Sequence, residues 1–207
     1  MSEAELSDAG PSRAELRRAQ VLAAAATCFN REGFHAASMA SIAAEASMSV
    51  GQIYRQFENK EAVIAAIVAE SLEQWAQRMA AVRARSNDLL EEIMEAARYH
   101  AEKLEEPERA ALSLEFFAEA ARNPRIGEMV RMIDGAIRRH LKDVLLRSGA
   151  PDDAKLECRL NMIALLIDGW AIRAVKNPGL SKEDYLETLR PLLAMLLCCE
   201  GKAACAD

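Results

Sequence analysis

Residues 38–60 read SMASIAAEASMSVGQIYRQFENK, two short apolar stripes each opened by a serine. Met39, Ile42, Ala43 and Ala46 follow Ser38 at the three- and four-residue steps of a helix face. Ser38 is a good N-cap because its hydroxyl can accept from an otherwise orphaned amide. Ser49 repeats the signal ahead of Val50, Ile53 and Phe57. These spacings predict helices over 39–46 and 50–57 with only a few residues between them, the geometry of a helix-turn-helix whose second helix presents a polar face. A generic helical hairpin has the same spacing. The stretch is also weakly charged, with Arg55 and Lys60 against Glu45 and Glu58, which raises the question of how it would grip a polyanion.

Upstream, Ala19, Leu22, Ala26 and Phe29 mark one stripe of a helix from about Arg13 to Glu32, closed by Gly33, a residue suited to left-handed backbone. Downstream, Asn59 caps a longer helix running through Val63, Ile67 and Trp75 to about Val82. From Asn87 on, breaks at Pro107, Asn123-Pro124, Gly149-Ala150-Pro151 and Asn177-Pro178-Gly179 delimit helices near 88–105, 108–122, 125–148, 153–176 and 181–200. Pro191 is expected to kink the last of them. The expected fold class is all-α, with a tail over 1–12, a three-helix N-terminal unit over 13–58, a helical bundle over 59–200 and a tail over 201–207.

Composition narrows the function classes. The chain carries a formal net charge of −6, which argues against indiscriminate nucleic-acid binding, but the charge is uneven. Residues 13–60 hold six basic and four acidic side chains, so any polyanion-binding surface belongs in the N-terminal quarter. The longest apolar run, Met162–Ile167, is too short to span a bilayer, and the polar, acidic start lacks the features of a secretory signal. The expected location is the cytoplasm, with no membrane partner. His35, His100 and His140 are scattered without metal-ligand spacing, and no phosphate loop or nucleophile elbow is present. No catalytic residue, metal or cofactor is therefore expected. Of the five cysteines, Cys28 lies on an apolar helical face and reads as core, and Cys158 fits no zinc spacing. Cys198, Cys199 and Cys205, in CCEGKAAC, are open between a redox or metal element and a loose helix end.

The stretch AAAATCFNREGFHAASMASIAAEASMSVGQIYRQFENKEAV, residues 23–63, resembles the DNA-binding domain of the TetR/AcrR family of bacterial transcriptional regulators. The matching features are Phe29 and Gly33-Phe34 closing the first helix, Ser38 before Ile42-Ala43, then Ser49, Gly51, Tyr54 and Phe57, and Lys60-Glu61 opening the fourth helix. LEFFAEAARNPRI (114–126) and LLIDGWAIRA (165–174) look like the choline-repressor-type branch of C-terminal domains. The resemblance implies a homodimer formed through the last two helices, about 153–176 and 181–200. It also implies an effector pocket in the C-terminal domain and a recognition helix, about Ser49–Gln56, entering the major groove of a palindromic operator in duplex DNA. The function it implies is a ligand-responsive regulator, a repressor released by a small lipophilic or cationic effector. The rival reading is a helical small-molecule-binding protein without DNA function. Two departures stand out: Ser47 occupies a turn position where the family often has Gly, and Gln56 one where it often has His.

On this reading Gln52 and Arg55 are base-edge candidates, since Gln pairs with adenine and Arg with guanine; a solvated helix face is the plain alternative. Tyr54 and Lys60 are phosphate candidates, Lys60 from the opening turn of its helix. Arg13 and Arg17 can add phosphate contacts or stand simply solvated. Ser38 and Ser49 serve as caps, with or without a contact to DNA. Gly51 lets backbone approach the duplex closely. In the C-terminal part, Glu115 and Glu119 flank Phe116 on a helix apolar on a second face as well (Leu114, Phe117, Ala118, Ala121). Each acid needs either a protein Arg or a cationic ligand. Trp75, Met79, Met94, Met132, Met162 and Trp170 join them as pocket candidates, with ordinary core as the alternative for each. Asp168, interrupting an apolar run beside Gly169, reads as an interface or structural anion.

Overall fold

The computed structural model describes residues 12–197. The expected tails, Cys198, Cys199 and Cys205, and the end of the expected last helix lie outside them. Ser12 is the exception. Its hydroxyl accepts from the Glu15 amide at 3.2 Å while its own amide donates to Glu15 Oε2 at 2.7 Å. This reciprocal cap makes Ser12 the start of the first helix rather than part of a tail. The Ser12 amide, and after it the Ser12 hydroxyl, hold the Glu15 carboxyl below the usual range.

Every described element is helical: α1 (Arg13–Ala36), α2 (Met39–Glu45), α3 (Val50–Tyr54), α4 (Lys60–Arg85), α5 (Leu89–Lys103), α6 (Pro107–Ala120), α7 (Pro124–Arg147), α8 (Ala154–Lys176) and α9 (Lys182–Leu197). The chain divides into two compact units between Ile67 and Val68. That places the first two turns of α4 with the N-terminal helices, where the sequence suggested a boundary at 58/59.

In the first unit α1 packs on α2 and α2 on α3. Val21, Ala25, Cys28, Phe29, Ile42, Ile53 and Phe57 are buried, the small residues allowing short helices to close on one another. Two expectations need correction. The third helix stops at Tyr54 with Arg55 as its cap, so Phe57 reaches the core from the turn, its amide donating to the Ile53 carbonyl. Val50, at the first helical position, is 40% exposed and holds nothing together. Between α2 and α3, Ser47 adopts φ 53°. Left-handed backbone costs an L-residue roughly 1–2 kcal/mol. Ser47→Gly should therefore raise the unfolding free energy by about 0.5–1 kcal/mol, seen as a higher urea midpoint, the gain being partly offset by glycine's unfolded-state entropy. A lowered midpoint would show that the serine is not strained there.

In the second unit the principal core is shared by α5, α7, α8 and α9 through Ile93, Leu141, Leu145, Leu160, Ile163 and Leu193. Helix starts are fixed by side-chain caps at Asp88, Asn123 and Asp153, with Pro107 and Pro124 at positions where the missing amide costs nothing. α6 packs on α7 and α8. Its crossing with α7 is close enough that a Cβ at Gly127 would come 2.8 Å from the Ala120 carbonyl oxygen. Only one side of α6 is covered: Phe117, Ala118 and Ala121 are exposed, contrary to an apolar helix enclosed on two faces. α9 runs unbroken through Pro191, held by Leu189 and Leu193 on either side. No described helix is long and apolar enough to cross a membrane.

Candidate nucleic-acid interface

Both short helices are closed by paired caps. The Ser38 hydroxyl accepts from the Ser41 amide at 3.0 Å, and the Ser38 amide donates to Ser41 Oγ at 2.9 Å. At α3 the Ser49 hydroxyl accepts from the Gln52 amide at 3.3 Å, and the Ser49 amide donates to Gln52 Oε1 at 2.8 Å. Gln52 was expected on a base edge, where a bidentate pair with adenine needs both its oxygen and its amide hydrogens. Its oxygen is committed to the cap, so only the amide hydrogens remain on offer.

Tyr54 is 53% exposed, and Arg55, Gly51, Ser38 and Ser49 are exposed beside it. A Cβ added at Gly51 would meet nothing within 4 Å, so this side of α3 is open. Gln56 is half-buried. Together with Arg17, Arg18, Gln52 and Arg55 it borders a cleft of about 540 Å³ between α1 and α3. The structure thus gathers Gln52, Arg55, Gln56 and Arg17, and adds Arg18, which the sequence reading passed over.

Lys60 does not point where the sequence suggested. Gly33 sits at φ 77°, ψ 165°, a conformation essentially confined to glycine, and it breaks α1 before the last turn. The carbonyls beyond the break lack helical partners. Lys60 Nζ collects them, donating to Phe34 O at 2.5 Å, Ala37 O at 3.0 Å and His35 O at 3.3 Å, and lies 4.3 Å from the Phe34 ring centre. An ammonium has three hydrogens to give. In this geometry all three are engaged, and a phosphate would have to displace them.

In the second unit the effector candidates do not converge on one site. Trp75 and Met79 pack with Ala96, Leu72, Tyr99 and Ile137. Met94 belongs to the principal core, and Trp170 to a third cluster with Ala101, Ala110 and Ala174. Met132 and Met162 are 53% and 48% exposed, so neither lines an enclosed space within its own chain. Glu115 and Phe116 are half-buried. Glu119 is buried, and Arg122 Nη2, one turn on, stands 3.8 Å from its Oε2, beyond hydrogen-bond distance, on a side chain that is 68% exposed, so this contact does not choose between an internal ion pair and a cationic ligand. Asp168 has its carboxyl raised to about 6 by desolvation and by Asp134.

Two features escaped the sequence reading. Glu92, 2% exposed, is a buried acid bonded to Arg83 and Arg147 and lying 3.5 Å from His140. Its signal was available: it stands three residues after Leu89, four before Ala96 and seven before Tyr99, on the packed stripe of α5. The second is His100, whose pKa burial lowers to about 4, leaving it neutral with Nε2 unbonded.

Comparisons with known proteins agree with this architecture. The family model described as bacterial regulatory proteins, tetR family, matches residues 21–67. That of the BetI-type transcriptional repressor C-terminal domain matches residues 88–197. The Escherichia coli K12 regulator UidR is 32% identical over 125 residues, covering 58% of this chain and 60% of that protein. The match thus spans less than two thirds of UidR's length. The nicotine-responsive repressor HdnoR of Paenarthrobacter nicotinovorans is 25% identical over 168 residues, 79% of this chain and 86% of that one. Among solved structures, Salmonella enterica GusR superposes with a TM-score of 0.72 at 26% identity, covering 91% of this chain and 98% of that one. Bacillus subtilis FadR, solved with stearoyl-CoA, shares the fold at a TM-score of 0.72 and 21% identity, covering 86% of this chain and 97% of that one. With the serine-capped helix pair at one end and a BetI-type bundle over most of the rest, the chain belongs to the TetR family of bacterial regulatory proteins.

Proposed function

We propose that the chain is a ligand-responsive, DNA-binding transcriptional regulator, a homodimeric cytoplasmic repressor released from a palindromic operator by a small lipophilic or cationic effector. The observation that carries this reading is the capped pair α2 and α3, which leaves Gly51, Tyr54 and Arg55 on the open side of the first unit. A carrier with no DNA function has no use for that face. Tyr54 can donate its hydroxyl to a phosphate and Arg55 can pair with guanine, one positioning the protein and the other reading sequence.

Dimerisation is supported by an apolar stripe that the protomer leaves uncovered. Met162, Leu165, Ile172 and Val175 recur along one face of α8, with Leu165 65% exposed, and Leu192 and Met195 extend the patch on α9. Uncovered patches of this kind mark association surfaces. A Cβ at Gly169, midway along the stripe, would meet nothing within 4 Å, leaving room for a partner helix. Two-fold pairing would present two recognition helices to half-sites about 34 Å apart, or a multiple of that spacing. Leu165→Glu should give a folded monomer by sedimentation.

A lipophilic effector suits the aromatic and thioether cluster around Trp75, Met79 and Tyr99. A cationic effector suits the acidic Glu119, whose contact with Arg122 is long at 3.8 Å. Names of the relatives span both, one responsive to nicotine, an amine, and one solved with stearoyl-CoA, an acyl chain. An effector that binds more tightly to the conformer whose recognition helices miss the half-site spacing shifts the population off DNA, with α4 running from one unit into the other as the connecting element.

The test is a gel shift with the DNA flanking this gene. A discrete complex is expected, weakened by about 1–3 kcal/mol in Arg55→Ala. Absence of any complex on flanking and on mixed-sequence duplex would sink the reading.

A further inference from the structure

The first unit must hold a polyanion with few charges, and the structure shows where they are kept. Arg31 is paired with Glu32 at 2.6 Å and Glu45 at 2.8 Å, and Lys60 is engaged with the end of α1. Arg17, Arg18 and Arg55 make no ion pair among the described residues, and all three border the same cleft between α1 and α3. The one acid on its wall, Glu15, is bound into the Ser12 cap. Three guanidiniums against one carboxylate leave an excess of two positive charges at a single concave spot. Arg18 is held in place, its guanidinium carbon 4.7 Å from the Phe57 ring centre, so less freedom is lost when it meets an anion.

We propose that this cleft grips one phosphate of the DNA backbone per protomer, with Arg17 and Arg18 from α1 as its donors, while Arg55, on the opposite wall at the end of α3, stays with the base edge. The inference rests on the DNA-binding reading and deepens it. Of the anions that match such a fork of guanidiniums, the duplex phosphate is favoured because Gln52, Arg55 and Gln56, on the other wall, belong to the recognition helix and the turn after it. The site explains how so weakly basic a helix-turn-helix holds DNA: α1 supplies the charge that α2 and α3 lack. It also fixes register, because a phosphate seated there sets how α3 lies against the base edges.

The experiment needs no operator. Binding of a short mixed-sequence duplex is titrated from about 50 to about 200 mM salt for the wild type, the double variant Arg17→Ala/Arg18→Ala and the double variant Arg17→Lys/Arg18→Lys, with circular dichroism confirming helix content. The alanine pair should flatten the slope of log affinity against log salt by about 0.9 per protomer bound. For a dimer that is on the order of a tenfold smaller loss of affinity over the fourfold salt range. The lysine pair should keep the wild-type slope. An alanine variant with the wild-type slope overturns the cleft assignment while leaving DNA binding intact. A change confined to one duplex sequence marks a base contact and overturns the phosphate assignment. A wild type that binds no duplex brings down both the cleft and the DNA reading beneath it.

Discussion

Lys60→Met should destabilise the first unit by about 2–4 kcal/mol without altering the salt dependence of DNA binding. The methionine keeps most of the stem volume and removes only the ammonium. What is lost is a set of charge-assisted bonds to Phe34 O, Ala37 O and His35 O, together with the contact over the Phe34 ring. A hydrogen bond from a charged donor contributes about 1.5–3 kcal/mol net, and the three share one partly buried donor, so the total falls short of three independent bonds. Urea denaturation followed by circular dichroism gives the stability change, and the duplex titration gives the slope. The opposite pattern, wild-type stability with a slope flattened by about 0.9 per protomer, would return Lys60 to the phosphate role first read from the sequence. Lys60→Arg keeps the charge but replaces a compact ammonium with a planar fork, and should recover only part of the stability.

Lys60 also shows where sequence reading stops. Ser38, Ser49 and Asn59 were legible as caps because capping is local, a hydroxyl or amide oxygen meeting an amide three residues on. The stripe over Met39, Ile42 and Ala43 was legible because helical periodicity needs nothing beyond the segment, whereas Phe57 was given to a helix that stops before it. The position of Lys60 depends on Gly33 breaking α1 some twenty-seven residues earlier, a long-range fact that spacing does not carry. At Gln52 a local signal was passed over: its Ser-x-x-Gln spacing is itself a capping-box signal, which the sequence reading did not weigh beside the base-reading role. The effector residues were chosen by type, and type does not say which cluster a Met or Trp joins. The structure spreads Met79, Met94 and Trp170 over three clusters and leaves Met132 and Met162 at the surface. Met162 there belongs to the exposed apolar stripe on α8, on which the proposed dimer draws.

Glu92→Gln should destabilise the second unit by about 3 kcal/mol. The carboxylate is 2% exposed and receives Arg83 Nε at 2.9 Å and Nη2 at 2.5 Å, as well as Arg147 Nη2. Asp143 Oδ2 bridges the same two arginines at 2.8 and 3.1 Å. Removing one partner of a buried pair typically costs about 3–5 kcal/mol. Here the lower end applies, because the Arg83 side chain is 43% exposed and both guanidiniums can turn toward water. Glutamine preserves the shape but leaves two cations sharing Asp143 alone, so the deficit is electrostatic and should shrink in high salt. His140 supplies an independent readout. Burial already depresses its pKa, while Glu92 pulls the other way. Neutralising Glu92 removes that opposing pull, and an NMR titration should show His140 moving further down. Because the folded pKa lies below the unfolded one, the folded state resists protonation, and stability falls as pH drops below the unfolded value. The variant should lose stability on acidification more steeply than the wild type. Glu92→Gln with unchanged stability and an unmoved His140 titration would show that the network is solvated rather than structural.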